Sequence, residues 1–295
     1  MKKIILFTAI VAVTCMFAGC EHNANELKVP SGCFSVAPNR YVKFAPGNLQ
    51  YTQSTDTWAF AAQQYELLGT DNVVGGDVIL DTEEYGDDGY CKYGTALADK
   101  IDLFGWSGGS GTVKWGIGIS TSDGDYSGDF VDWGQNLGDS KTWRTLTYDE
   151  WDYVLNIRTN ASSLKGVARI NLNDDGSEYA NGLILLPDDW QAPTGVLFKS
   201  GFVSEYGSQT YATYQTFTLA DWLRLEAAGA VFLPASGDRS GASVHYVQTY
   251  GAYWSFMPNE SDGAYYLFVI SAETTFDGEG CEIGRAVRLV QDVIY

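Results

Sequence analysis

The chain has 295 residues, with 18 Lys or Arg against 37 Asp or Glu, a formal net charge of −19. So acidic a balance, with no Lys/Arg cluster to meet phosphates, argues against a nucleic-acid partner and opposes contact with anionic lipid headgroups. Aromatic residues are 14% of the chain, enough to hold it by a packed core rather than a disulfide framework.

The chain opens with Lys2-Lys3 and an apolar run from Ile4 to Ala18, which read as the n- and h-regions of a secretory signal peptide. The run is shorter than a membrane-spanning helix requires, and no later run is long and apolar enough to span. Small residues at 18 and 19 give a peptidase room at the bond before Cys20. Phe17-Ala18-Gly19-Cys20 resembles the lipobox of bacterial lipoproteins, with Phe17 where Leu is usual. The resemblance implies cleavage after residue 19 and several acyl chains on Cys20, each buried methylene adding about 0.8 kcal/mol of membrane affinity. The alternative is an ordinary signal peptide cleaved elsewhere. Glu21, directly after the anchor, is similar to Bacteroidetes surface-export signals and implies presentation on the outer membrane. Residues 20–32 are read as a lipidated polar tether. With Cys20 set apart, Cys33, Cys91 and Cys281 allow at most one disulfide and one free thiol.

From Cys33 onward, Phe34–Val36, Tyr41–Phe44, Leu49–Tyr51 and Trp58–Phe60 alternate in polarity between turn signals, and predict short antiparallel strands. Residues 69–140 are rich in Gly, Asp and Ser and predict loops, with strands at Ile101–Phe104 and Val113–Trp115. Two helix starts are similar to each other: Thr145–Trp151 and Thr216–Trp222. In each, the second threonine caps, an acid follows three residues later, and a hydrophobic residue before the cap faces the tryptophan as a staple. Gly229 predicts the end of the second helix. Strands are predicted at 182–187, 230–234, 253–256, 265–270 and 286–290. Strands with two helices that do not strictly alternate indicate an α+β fold.

The ordered pieces Trp143-Arg144-Thr145-Leu146-Thr147 with Glu150-Trp151, Leu185–Trp190, Phe232-Leu233-Pro234-Ala235 with Gly237 and Arg239, Gly251–Ser255, and Gly284–Val290 resemble paralogous surface-protein domains of Bacteroidetes and Fibrobacteres. Those are similar in turn to the formylglycine-generating-enzyme branch of the C-type-lectin-like fold. Phe44 to Tyr65 resembles the front part of such proteins. The resemblance implies a C-type-lectin-like domain of short antiparallel strands with two helices. Residues 141–295 would carry it, and 33–140 a β-rich, loop-rich N-terminal part, separate or continuous with it. The family's enzymes hold copper with a cysteine pair near the C-terminus; Cys281 stands alone there, so that chemistry does not carry across.

Other motifs bear on chemistry. Gly105-Trp106-Ser107-Gly108-Gly109 matches G-x-S-x-G, but no helical pattern follows, so a flexible loop is expected. His22 lies beside the anchor, which leaves His245 as the base available in the folded domain; a surface or contact role is expected of it. Asn171–Gly176 resembles the start of a calcium loop but has Gly182 where the bidentate Glu belongs; a polar hairpin turn is the reading, calcium the alternative. Met257-Pro258-Asn259 resembles the sugar-binding loop of calcium-dependent lectins without its glutamate. The acid pairs Glu83-Glu84, Asp87-Asp88 and Asp188-Asp189 are read as solvated loops rather than glycosidase carboxylates.

The segment from Arg239 to Ile270 is the richest in aromatics. Alternation sends Tyr265, Leu267 and Val269 to one face and Tyr266, Phe268 and Ile270 to the other, so one face is core and the other is either a contact surface or buried too. The expected ligand-binding residues are Asp238, Arg239, His245, Tyr246, Tyr250, Ala252, Tyr266 and Phe268, with no catalytic residue, resident metal or cofactor. Some proteins resembling this one are targets of diversity-generating retroelements, which implies a diversified C-terminal surface. The expectation is a lipid-anchored, adhesin- or lectin-like binding protein taking a glycan or protein ligand outside the cell. A structural surface or fimbria-associated subunit is the first alternative and a glycan-acting enzyme the second.

Overall fold

The computed structural model describes residues 31–66, 79–80, 99–138, 142–203, 211–259 and 263–294. The strands are β1 (Phe34–Ala37), β2 (Arg40–Phe44), β3 (Leu49–Thr52), β4 (Thr57–Phe60), β5 (Ile79–Leu80), β6 (Lys100–Ile101), β7 (Trp143–Arg144), β8 (Lys165–Asn171), β9 (Tyr179–Leu185), β10 (Thr216–Thr218), β11 (Val231–Pro234), β12 (Asp238–Ser240), β13 (Ser243–His245), β14 (Tyr250–Asn259), β15 (Gly263–Ile270), β16 (Thr274–Glu279) and β17 (Val290–Val293). The α-helices are α1 (Tyr148–Asp152), α2 (Tyr211–Tyr214) and α3 (Leu219–Ala227). The fold is mixed α+β, with small, mostly antiparallel sheets and few helices. No described helix is long and apolar enough to cross a membrane.

Two sheets enclose the central core, in the orders β10-β8-β9-β11 and β14-β15-β16. Alternation along the strands sorts their side chains. Val167, Leu183, Leu185 and Leu233 of the first sheet and Tyr253, Leu267 and Val269 of the second enter one buried cluster, with Trp151, Val154 and Leu155. The other face of the first sheet, through Ala168, Ile170, Ile184 and Phe232, packs on Trp222 and Leu225 of α3. The other face of the second sheet, through Ala252, Trp254 and Tyr266, packs on Phe104, Trp106 and Trp133. A third sheet, β1-β2-β17-β7, joins the chain's beginning to its end: Val290 pairs with Phe44 and Val293 with Tyr41. Residues on both sides of position 140 therefore share one sheet and one core.

Both expected caps form. The Thr147 hydroxyl accepts from the Glu150 amide, and the Glu150 carboxylate accepts the Thr147 amide, a reciprocal box. Thr218 accepts from the Asp221 amide. Leu146 and Trp151 share one core cluster, and Phe217 and Trp222 another. Gly229 adopts φ 97, a left-handed conformation open to glycine, where α3 ends.

Several expectations are corrected. The first helix runs α-helical only to Asp152 and then widens into a π turn at Tyr153–Ile157, closed by the Arg158 amide on the Tyr153 carbonyl. Val113–Trp115 is not a strand: Lys114–Gly116 is a 3-10 turn with Trp115 at φ 59. Of Ile101–Phe104 only Ile101 is in a strand, and Phe104 makes an isolated bridge to Arg285. At 286–290 the strand begins only at Val290. The stretch Thr216–Thr218 before α3 is itself a strand, parallel to β8.

Candidate functional site

The strongest polar features are ties within the fold. Arg144 meets Glu150 at 2.6 Å and Asp292 at 2.8 Å, and Arg40 reaches the same Glu150 at 2.9 Å. Burial works against the Arg144 charge, but the hydrogen bonds and charges of Asp292 and Glu150 outweigh it and hold the group above its ordinary range. Asp188 is not a solvated acid: it pairs with buried Arg158 at 2.8 Å and accepts the Ser35 amide at 3.0 Å. Asp189 accepts the Gly32 amide at 3.0 Å. The pairs Glu83-Glu84 and Asp87-Asp88 lie outside the described residues, as do Cys20, His22 and Cys91.

The G-x-S-x-G string is a packed glycine loop rather than a flexible one or a nucleophile elbow. Ser107 is buried, and the Gly109 amide donates to the Asp129 main-chain carbonyl at 2.7 Å. A Cβ on Gly108 would collide with the Tyr126 carbonyl, so close backbone approach explains the glycine. Asn171–Gly176 lies at the β8–β9 hairpin, where Asn173 Oδ1 accepts from the Glu178 amide at 3.2 Å and Asp175 Oδ1 from the Ser177 amide at 2.9 Å. Pro258 and Asn259 belong to β14 and pair with Ala264 and Gly263 in a hairpin instead of forming a ligand loop. Among the described residues no group of three or more His, Cys, Asp or Glu is placed to hold a metal. Cys33 and Cys281 are buried free thiols. Burial, with Asp123 beside it, pushes Cys281 up to about 12.

The predicted ligand residues do gather. His245 ends β13, and Tyr246 follows it at φ 60. Ring centres run from His245 to Tyr246 at 6.0 Å, Tyr246 to Tyr250 at 4.9 Å, Tyr250 to Phe268 at 4.8 Å and Phe268 to Tyr266 at 6.3 Å. Cross-strand register makes this row: Ala252 lies opposite Phe268 and Trp254 opposite Tyr266. His245, Tyr246, Tyr250 and Phe268 are half-buried, whereas Tyr266 is buried. Of the two alternatives for β15, both faces pack on core, Leu267 and Val269 on one side and Tyr266 on the other, with Tyr265 and Phe268 half-buried.

Arg239 and Ala252 are fully buried and cannot touch a ligand from outside. Arg239 Nη1 donates to the Gly241 carbonyl at 3.2 Å, which shapes the β12–β13 hairpin from beneath. Ala252 lies buried opposite Phe268 in the sheet. Asp238 accepts a hydrogen bond from the Tyr250 hydroxyl. Burial raises the Asp238 carboxyl above its ordinary value, against the opposing pull of Tyr250 and Arg285.

Two further residues belong to this face. The Arg285 guanidinium lies 3.6 Å from the Tyr266 ring centre and 4.8 Å from that of Trp254. Its Nη2 pairs with Glu279, whose side chain is half exposed at the end of β16. Neither was singled out as a site residue from sequence. The available signal was the polar strand Thr274–Glu279 beside an aromatic one, which carries no ring pattern of its own. Neither a family model, a curated protein nor a solved structure matches the chain.

Proposed function

We propose that the chain is a lipid-anchored binding protein of the outer membrane, surface-exposed, with lipid on Cys20 and the ring row meeting a glycan or protein ligand. The observation that carries this reading is the run His245, Tyr246, Tyr250 and Phe268, left half open while Trp133, Trp151, Trp222 and Trp254 are wholly buried. Tyrosine offers large contact area at small entropic cost and keeps a polar tip for hydrogen bonding. We read the α+β fold as C-type-lectin-like. This reading gains support from Arg144, Glu150 and Asp188, residues of the family-like motifs that all act as fold ties here. Variation of the rings would then tune ligand choice while Arg239 and Ala252 keep the scaffold.

The full chain, purified and screened on glycan and protein arrays, tests the face. A hit lost in Tyr246→Ala and Tyr250→Ala, with the circular dichroism spectrum retained, supports it; a hit retained in both overturns the placement. Intact mass and detergent partitioning test the anchor. Wild-type chain should carry acyl mass and enter the detergent phase, and Cys20→Ser should do neither. Partitioning of the wild type into the aqueous phase overturns the anchor.

A further inference from the structure

Sheet register carries the ring row onto an acidic border. Directly opposed residues of an antiparallel pair share one face. Tyr266 lies opposite Asp277, Phe268 opposite Thr275 and Ala264 opposite Glu279, so the face that bears Phe268 continues across β16 as Thr275, Asp277 and Glu279. Those are the exposed residues of the strand, while Thr274, Phe276 and Gly278 on its other face are half-buried. Asp238 adds a carboxylate bonded to the Tyr250 hydroxyl. From residue 225 to 295 the sequence has three Lys or Arg, namely Arg239, Arg285 and Arg288, and all are buried. The elements that form the row thus turn rings and carboxylates outward and keep their cations inside.

We infer that this face takes a basic segment of a partner protein, with Lys or Arg side chains laid over the Tyr246 and Tyr250 rings and drawn in by Asp277 and Glu279, an inference that rests on the ring row being the ligand face. A cation over a tyrosine ring is held by the negative face of that ring, and a carboxylate nearby adds to the hold. The fold uses this chemistry once internally: Arg285 lies 3.6 Å from the Tyr266 ring centre and pairs with Glu279. Arg285 thereby offsets part of the Glu279 charge from beneath. Asp277 accepts the Gly278 amide at 2.8 Å and is in no ion pair among the described residues, so it is the stronger draw. An anionic partner would meet these carboxylates in a chain of net charge −19. A neutral ligand gains no long-range attraction from them, whereas a cation gains both that attraction and the ring contact. Ring centres spaced 4.9 Å from Tyr246 to Tyr250 and 4.8 Å from Tyr250 to Phe268 outrun a single ammonium group, which favours an extended segment with several cations.

Fluorescence anisotropy of the purified full chain tests it, with labelled peptides of Lys-Ser, Glu-Ser and Gly-Ser repeats and a labelled neutral hexose oligosaccharide as probes. The Lys-Ser peptide should bind best, and its affinity should fall roughly tenfold or more from low to high salt. Asp277→Asn, which keeps an acceptor for the Gly278 amide, should weaken it roughly threefold, and Tyr246→Ala by about as much or more. Asp189→Asn makes the same change of charge at the exposed turn after β9 and keeps an acceptor for the Gly32 amide; it should leave the affinity unchanged. That control separates recognition at the face from attraction by the charge of the whole chain. Tighter binding of any other probe overturns the inference, as does failure of the Lys-Ser peptide to bind at low salt, or an Asp277→Asn effect no larger than that of Asp189→Asn. The reading of the face fails separately: a probe of any class weakened in Tyr246→Ala leaves the face standing, and one bound in full by both Tyr246→Ala and Tyr250→Ala removes it.

Discussion

Arg288 donates from Nη2 to the Phe232 carbonyl of β11 at 2.6 Å, with its side chain buried. Its other bonds go to Asn48 Oδ1 at 2.9 Å, the Ala45 carbonyl at 3.1 Å and Gln64 Oε1 at 3.3 Å. Every one of these acceptors is neutral, and burial lowers the guanidinium to about 10, outweighing the nearby Tyr253 and Glu226, which favour the charge. Arg288→Met should cost about 2–4 kcal/mol, because it leaves carbonyl and amide oxygens buried without donors. Urea unfolding measures it; a midpoint equal to wild type would contradict the role.

Asp238 sets a pH dependence. It faces Tyr250 on β14, Glu279 on β16, His245 on β13 and Arg285, and burial raises its folded value above the unfolded one. A carboxyl raised in this way stabilises the fold below its unfolded value, and that contribution is lost as pH rises through the folded one. Asp132 and Glu66, raised by burial as well, act in the same sense. Stability should therefore be higher in mild acid than at neutral pH. Asp238→Asn, which keeps an acceptor for Tyr250, should raise neutral-pH stability and flatten the profile. Thermal melts between pH 4 and 7 check the sign.

Cys33 and Cys281 should resist iodoacetamide at pH 8 while the chain is folded. Both are buried, and burial raises each thiol above its ordinary value, so little thiolate forms. Peptide mass spectrometry should find both unmodified before urea and alkylated after it. Labelling of Cys281 in the folded chain would contradict its burial.

The two helix caps should differ in worth. Thr218→Ala removes one cap and should cost about 1 kcal/mol. Thr147→Ala should cost more. It opens a reciprocal box whose Glu150 also holds Arg40 and Arg144, so the loosened carboxylate weakens the tie to Asp292. Comparing denaturation midpoints of the two variants decides it; equal losses would mean that the Arg144 network does not depend on the cap.

Much of this was legible locally. The strands at 34–37, 40–44, 49–52 and 57–60 follow from alternation, and the caps at Thr147 and Thr218 from spacing, because each depends on residues only a few positions apart. Val113–Trp115 has the polarity alternation of a strand, yet the backbone turns at Trp115 and Gly116 where Gly116 packs against Gly105. Six of the eight expected site residues, from Asp238 to Phe268, lie together on one face. Burial separates Arg239 and Ala252 from them and closes Tyr266 off as well, and no sequence pattern reports burial of that kind.

By itself the sequence determined the acidic balance, the short strands, the two capped helix starts and the aromatic richness of 239–270. Tertiary structure decided that β17 returns to pair with β2, that Asp188 is a tie to Ser35 and Arg158, and that Arg285 and Glu279 close the ring row. The physical reason is range. Caps and alternation act within a few residues, whereas a buried ion pair or a ring contact forms only after distant strands have packed and water has been expelled between them.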